Sequence, residues 1–288
     1  MANPKIDLHM HSLVSDGTDS PAEILGKVKV AGLEVFSLTD HDAIKGCREI
    51  RSMLGEGDPV FIPGAEFSCR DEKGKYHILG YGYDADSGAM PEFVSESHNL
   101  RIKKLKARLD FLASEMGIAF PEEERENLLA RDNPGKPHIA NLMVKYGYAQ
   151  SKDQAFRDVL NRLPALVSYI HPEQAIEAIT AGGGIPVLAH PSYGDGDQLI
   201  LGDDMEERIR RLMNYGLRGL EAFYSGFTHQ LRDEVLGFAE RFDLFVTAGS
   251  DYHGANKMIE LGDTGLDEVE LLPPRLEAFL SELSKSCF

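Results

Sequence analysis

Apolar residues arrive in short runs along the first part of the chain, and each run stops at a polar residue with chemistry to offer. Residues 6–9 read as a first strand. Asp19-Ser20-Pro21-Ala22-Glu23 has the cap, early proline and acidic first turn of a helix start, and Gly32 closes that helix. Residues 34–39 form a second strand that ends at Asp40-His41, residues 43–54 a second helix, and residues 60–66 a third strand that ends on Glu66. Strands alternating with helices, with candidate residues at the C-terminal strand ends, is the plan of α/β barrels and open α/β sheets, whose active sites gather at that edge.

Between about Met90 and Tyr169 the pattern changes to long helical stretches such as 91–116, interrupted by Asn133-Pro134-Gly135-Lys136-Pro137. This reads as a helical insertion, residues 90–169, in a scaffold made of residues 1–89 and 170–288. The βα pattern resumes with strands at 184–190, 219–224 and 244–251, so candidates on both sides of the insertion belong to one α/β scaffold.

Charge and cysteine content narrow the class. The chain has 288 residues and a net charge of −17, which argues against wrapping long nucleic acid or lying on an anionic membrane. Cys47, Cys69 and Cys287 lie far apart and form no Cys-x-x-Cys pair, so neither a disulfide framework nor a thiolate zinc site is expected. With no basic and apolar leader before the first strand and no apolar run of membrane length, the expectation is a soluble cytoplasmic protein.

His9-Met10-His11 places two imidazoles two residues apart, and on a strand residues i and i+2 project from the same face. Asp16, Asp40-His41-Asp42, Glu66, His77, His190 and Asp251-Tyr252-His253 recur in or just after later apolar runs. Imidazoles mixed with carboxylates suit Zn²⁺, Mn²⁺ or Fe²⁺ better than Mg²⁺ or Ca²⁺. The candidates His9, His11, Asp16, His41, Glu66, His77, His190, Asp251 and His253 number nine. One ion takes roughly three or four protein ligands, so two to three divalent ions are expected, with a carboxylate such as Glu66 shared by a pair. Clustered ions activate a bridging hydroxide and stabilise the oxygens of an in-line phosphoryl displacement.

His9-Met10-His11-Ser12 with Ser15-Asp16-Gly17-Thr18, Leu38-Thr39-Asp40-His41-Asp42, Ile62-Pro63-Gly64-Ala65-Glu66, His77-Ile78-Leu79-Gly80, Ala189-His190-Pro191 and Gly249-Ser250-Asp251-Tyr252-His253-Gly254 follow one another in that order. The series resembles the motifs of the PHP (polymerase and histidinol phosphatase) superfamily. The resemblance implies a distorted (β/α)7 barrel and a trinuclear centre. Position by position, it implies a first metal on His9, His11, Glu66 and Asp251, a second on Asp16, His41 and His253, and a third on Glu66, His77 and His190. Asp16 stands where many relatives, histidinol phosphatases among them, place a histidine. The insertion and Gly135-Lys136-Pro137-His138-Ile139-Ala140 resemble the small phosphoesterases that act on nucleoside 3′,5′-bisphosphates and short 5′-phosphorylated oligonucleotides. Most of those carry arginine where Lys136 stands, and lysine keeps the charge but loses the bidentate phosphate geometry.

Several residues carry two readings. Arg101, Lys104 and Arg108 are spaced i, i+3 and i+7, so they share a helix face that is either solvated or turned toward an anionic substrate. His138 is either a helix N-terminal residue or, with Lys136, a phosphate contact. Tyr224 and His229 follow a strand and could stack on or bond a base or sugar, and packing is the plain alternative for Tyr224. Ser12 and Asp42 could orient ligands. Glu66 and Asp251 serve catalysis through the metals, and His190 or His229 is the candidate proton donor to the leaving oxygen. The expected activity is hydrolysis of small phosphorylated substrates, nucleoside 3′,5′-bisphosphates or short 5′-phosphorylated oligonucleotides, by a metal-bridging hydroxide. A phosphoribosyl cyclic phosphate phosphodiesterase, a histidinol-phosphate phosphatase and a catalytically silent binding or regulatory domain are the alternatives. The oligomeric state is open.

Overall fold

In the computed structural model, which describes residues 3–86, 88–164, 167, 169–195 and 198–286, seven strands lie side by side in chain order. They are β1 (Ile6–Asp7), β2 (Val35–Leu38), β3 (Val60–Asp71), β4 (Gly74–Tyr81), β5 (Ile185–Leu188), β6 (Gly219–Tyr224) and β7 (Phe245–Gly249). β1, β2 and β3 run parallel, as do β5, β6 and β7, while β4 is antiparallel to both neighbours. The Leu8 N–H donates to the Ala248 carbonyl at 2.8 Å and the Asp251 N–H to the His9 carbonyl at 2.7 Å, joining the first strand to the last. The sheet is therefore a nearly closed barrel, and its distortion sits at the β3–β4 hairpin. A link of two residues, Glu72 and Lys73, can only fold the chain straight back, because a parallel neighbour needs a crossover of a dozen residues or more.

That reversal decides where His77 goes. β3 runs on past Glu66 to Asp71, and β4 begins at the same edge, so the N-terminal part of β4 lies where the other strands end. His77 therefore reaches the site from the start of a strand, not from the C-terminal end expected for every ligand. The first strand is also shorter than 6–9. Regular pairing covers Ile6–Asp7 only, after which single bonds to the β7 edge carry the backbone to His11.

Ten α-helices are described: α1 (Pro21–Ala31), α2 (Lys45–Met53), α3 (Ala89–Met116), α4 (Glu122–Leu129), α5 (Lys136–Lys145), α6 (Lys152–Asp158), α7 (Pro172–Ala181), α8 (Gly202–Asn214), α9 (His229–Arg241) and α10 (Pro274–Ser286). α1 starts as its sequence requires, with Ser20 and Glu23 in a reciprocal capping box and Gly32 ending it in the left-handed region. None of the described helices is long and apolar enough to cross a membrane.

Side chains of the sheet and of the helices packed on it form the main apolar cluster, including Phe67, Ile78, Tyr81, Leu220 and Phe223. A separate cluster joins Leu105, Leu109, Leu112, Ile139, Met143 and Leu160. α3 belongs to both, since Met90 and Phe93 from its first turns pack in the main cluster and Leu105 to Leu112 in the other. Its middle is thus held at the barrel mouth. Cys47 and Cys69 are free and buried, while Cys287 lies outside the described residues.

Candidate metal centre

Glu66 is the hub of the site. It is 1% exposed, and its two oxygens face different partners. Oε2 lies 3.4, 3.2 and 3.0 Å from nitrogens of His9, His11 and His41, and Oε1 lies 2.8 and 3.2 Å from His77 and His190. Asp251 Oδ1 is 3.5, 3.3 and 3.4 Å from His9, His11 and His253. Asp16 lies 3.3 Å from His253 and 3.8 Å from both His11 and His41. Three groups of donors arise, each with its ligand atoms within 4.8 Å of one another: His9, His11 and Asp251; His11, Asp16, His41 and His253; and Glu66, His77 and His190. All nine candidates fall within these groups.

Divalent cations fit this donor set. His9 Nε2 and His11 Nε2 face each other at 3.1 Å, and two bare ring nitrogens repel unless a proton or a cation lies between them. Asp16 Oδ1 and His41 Nδ1 are buried and make no well-directed hydrogen bond, although His253 and Glu66 lie 3.3 and 3.0 Å away, and lone pairs left facing one another in this way suit a shared cation. Burial alone would push the carboxyls up, but the imidazoles around them hold Asp16 and Glu66 well below the usual carboxylate range, and Lys257 with His9 does the same for Asp251. Burial also disfavours charged imidazoles. Glu221 and Glu66 outweigh it at His9, and the Asp251 and Glu66 carboxylates lift His11 to about 9. The carboxylates that would favour protons on His9 and His11 favour divalent cations at the same place, while burial keeps His41 and His77 neutral, the form that ligates a metal.

The backbone is set for this arrangement. Asp42, His190 and Asp251 have φ of 48°, 28° and 58°, a region that non-glycine residues seldom adopt and that clusters at functional sites. At Gly249, a Cβ would come within 2.2 Å of His9 Cβ and 2.6 Å of Glu221 Oε1, so only glycine lets β7 pass this close to the ligands.

The residues that aim the ligands are mostly invisible to motif reading. Glu221, fully buried in β6, accepts from His9 Nδ1 at 2.8 Å and from the His190 N–H at 2.7 Å, so it orients two ligands at once. Asp40 accepts from Ser12 N, Ser12 Oγ and Ser15 Oγ, each at 2.7 Å, and pins the loop that presents Asp16. Asp7 does the same at β7 through Ser250 N and Oγ, at 3.0 and 2.6 Å. A single acid inside an apolar strand, as in Gly219-Leu220-Glu221-Ala222-Phe223, is the one sequence signal that points to Glu221.

The cluster floors a cleft with two lobes. The first, about 330 Å³, is lined by Glu66, His190, Asp251 and His253 together with Tyr193, Tyr224, Lys152 and Lys257. The second, about 180 Å³, is lined by Lys75, Arg101, Lys104, Arg108 and Lys136. Asp16, His41, His77, Pro137 and Phe156 line both, so the lobes meet over the cluster. Arg101 donates from Nε to Asp42 at 2.8 Å and from Nη2 to Ser68 at 3.3 Å. Lys104 lies over the Tyr169 ring at 4.1 Å, and Arg108 donates to the Tyr169 hydroxyl at 3.1 Å. Lys75 belongs to no motif, yet the period of two along β4 puts it on the face of His77. Burial and the neighbouring cations depress Lys136 to about 7 and, against the pull of Asp42, Lys104 to about 8.

Three candidates stand differently. Tyr224 lines the first lobe and donates to Asp251 Oδ2 at 3.0 Å, so it holds a ligand as well as facing the cleft. His138 lines neither lobe. Its Nδ1 accepts the Gly135 N–H at 3.1 Å and caps the start of α5, which is the plain reading of its place after a turn. His229 is not brought to the cluster: it begins α9, its side chain is 73% exposed, and it pairs with Glu268 at 3.0 Å.

A model of the PHP domain matches residues 7–221. The chain is 31% identical to a 5′-3′ exoribonuclease of Haemophilus influenzae over 96% of this chain and 99% of that protein. It is 28% identical to a 3′,5′-nucleoside bisphosphate phosphatase of Chromobacterium violaceum, covering 98% of this chain and 97% of the relative. Among solved structures, one described as an amidohydrolase from Chromobacterium violaceum, with bound sulfate and no metal, matches with a TM-score of 0.83 at 26% identity, covering 98% of this chain and 96% of that one.

Proposed function

The chain belongs to the PHP domain family and is a metal-dependent phosphoesterase, and from that premise we propose that its substrates are small nucleotides with a terminal phosphate, either nucleoside 3′,5′-bisphosphates or short 5′-phosphorylated oligonucleotides. The observation that carries this reading is the lobe with five cations beside the cluster. In a protein of net charge −17, Lys75, Arg101, Lys104, Arg108 and Lys136 gathered in one small cavity are explained by an anion that belongs there. Its lining of basic side chains suits a phosphate group. The names of the two relatives support the same class, since one is an exoribonuclease that works from the 5′ end and the other a phosphatase of 3′,5′-nucleoside bisphosphates.

Bound at His9, His11, Asp16, His41, Glu66, His77, His190, Asp251 and His253, two to three divalent ions would lower the pKa of a water and neutralise charge on the phosphoryl oxygens. The chain's own residues do the rest. The cationic lobe fixes the terminal phosphate, and this binding energy holds the ester to be cleaved over the cluster. Glu221 sets the ring orientation of His9 and the backbone of His190, and Tyr224 holds Asp251. Tyr193 and Phe156 give the first lobe apolar walls for a sugar or base.

The test compares a nucleoside 3′,5′-bisphosphate, the matching 3′-monophosphate and a short oligonucleotide with and without its 5′-phosphate, using manganese-loaded protein. Turnover that depends on the remote phosphate by at least tenfold in kcat/KM is expected. Equal rates with and without it, or hydrolysis confined to simple monoesters, would refute the substrate class.

A further inference from the structure

The first lobe holds two lysines that neither the motifs nor the terminal-phosphate lobe accounts for. Lys152 begins α6 and hydrogen-bonds Asn256 Oδ1, and Asn256 Nδ2 in turn donates to the Asp16 carbonyl at 2.6 Å. Lys257 follows one residue later and pairs with Asp251 Oδ2. Both line the first lobe with Asp251 and His253, and Asp153 is the acid there that lies outside the candidate metal cluster. The five cations of the other lobe lie beyond His41 and His77. Positive side chains therefore flank the cluster on two sides.

Asp251 does not need Lys257 as its partner once the centre is complete. Tyr224 already donates to it, and its other oxygen faces His9, His11 and His253. The side chain of Lys257 lines the first lobe and is 39% exposed, so its stem borders the open cleft while its ammonium rests on the carboxylate. A lysine is also a poor choice for a permanent strut, because its flexible stem and strong hydration suit a charge that moves between partners.

Resting on the phosphoesterase reading above, we propose that Lys152 and Lys257 form a second anion site that takes the phosphate on the far side of the scissile ester, making the chain competent for phosphodiester substrates and not for monoesters alone. Geometry requires the link. A substrate whose terminal phosphate sits in the five-cation lobe and whose reacting phosphorus lies over the cluster continues, if it continues at all, into the first lobe. A bisphosphate ends at the cluster and has nothing to offer these lysines. An oligonucleotide carries its next phosphate to them, with Tyr193 and Tyr224 alongside as surfaces for a base.

The experiment uses Lys152→Met and Lys257→Met in the full chain, with a 5′-phosphorylated trinucleotide and a nucleoside 3′,5′-bisphosphate as substrates. The ratio of kcat/KM for trinucleotide over bisphosphate should fall about tenfold in each variant. Metal-stripped protein should show a matching loss of affinity for a 5′-phosphorylated DNA trinucleotide by fluorescence anisotropy, a readout that needs neither metal nor turnover. Metal content, measured alongside, should match the wild type in Lys152→Met, which touches no ligand side chain. Equal losses on both substrates, or no loss in anisotropy, would overturn the second site. Should the wild type hydrolyse neither substrate, the phosphoesterase reading for nucleotides fails and takes this inference with it.

Discussion

Binding of a terminal phosphate at neutral to alkaline pH should draw protons from solution, and the cationic lobe sets how many. Burial and neighbouring charges leave Lys136 at about 7 and Lys104 at about 8 in the ligand-free protein. At pH 8 Lys136 is then roughly one-tenth protonated and Lys104 about half. A phosphate dianion within a few Å favours the charged ammonium, and a rise of about two units in each pKa is typical of such a contact. Both lysines become almost fully charged, so uptake comes to about 1.3 protons per phosphate bound. The ligand adds little, because a phosphate monoester with a second pKa near 6 is already a dianion at pH 8. The sign follows from the linkage: affinity must weaken as pH rises from 8 to 9, by about fivefold for each lysine and so about 25-fold together. The assay is calorimetric titration of deoxyadenosine 5′-monophosphate into metal-stripped protein at pH 8, in two buffers of different protonation enthalpy. The dependence of the observed heat on buffer gives the proton number directly. Lys136→Met should remove more than half of it. Uptake near zero, or proton release, would mean that these lysines do not hold the phosphate.

Three further outcomes follow from the centre. His11→Ala and Asp251→Ala should each lower the metal content measured by elemental analysis and nearly abolish turnover, since each residue faces two of the other donors at about hydrogen-bond range. Glu221→Gln should keep the fold yet weaken metal binding about 10–100-fold in a competitive chelator titration, because the amide must turn one N–H toward a group that Glu221 now accepts from. Gly249→Ala should cost about 1–3 kcal/mol in chemical denaturation and disturb the metal site as well, since the added Cβ can only be accommodated by pushing His9 or Glu221 away.

The nine candidate ligands, which the structure brings together in one cluster, are legible in the sequence because they lie where apolar runs end, and a strand end is easy to see. The order of those runs is enough to place His9, His41, His190 and Asp251 on one barrel edge. His77 is legible as a ligand but its route is not, because the two-residue link that turns β4 back lies inside a polar stretch, Asp71-Glu72-Lys73-Gly74, that reads as any loop. Asp40 is visible in the motif Asp40-His41-Asp42, while Glu221 and Asp7 escape a sequence reading for a different reason. They act through hydrogen bonds that cross the barrel, and sequence distance hides such partners: Asp7 meets Ser250, and Glu221 meets His9. His229 is suggested by proximity to a strand end, but the first turn of α9 carries it out to Glu268 on the surface.

Charge explains why the helical segment and the barrel have to work together. The barrel supplies carboxylates that stay ionised, Asp16, Glu66 and Asp251, and so by itself presents negative charge to an anionic substrate. Two divalent ions would bring about four positive charges against those three, which turns the floor of the cleft attractive only once they are bound. The basic side chains that line the cleft around the cluster come largely from outside the barrel: Arg101, Lys104 and Arg108 from α3, Lys136 from α5 and Lys152 from α6. Since α3 is anchored in both apolar clusters, Arg101, Lys104 and Arg108 are held at a fixed place relative to Glu66 and His77, and under the proposed function this would set the spacing between a terminal phosphate and the reacting one. On the proposed reading, the helices would then set substrate length and the barrel the chemistry, so exchanging Lys136 should change which phosphate-bearing substrates are turned over without changing metal content.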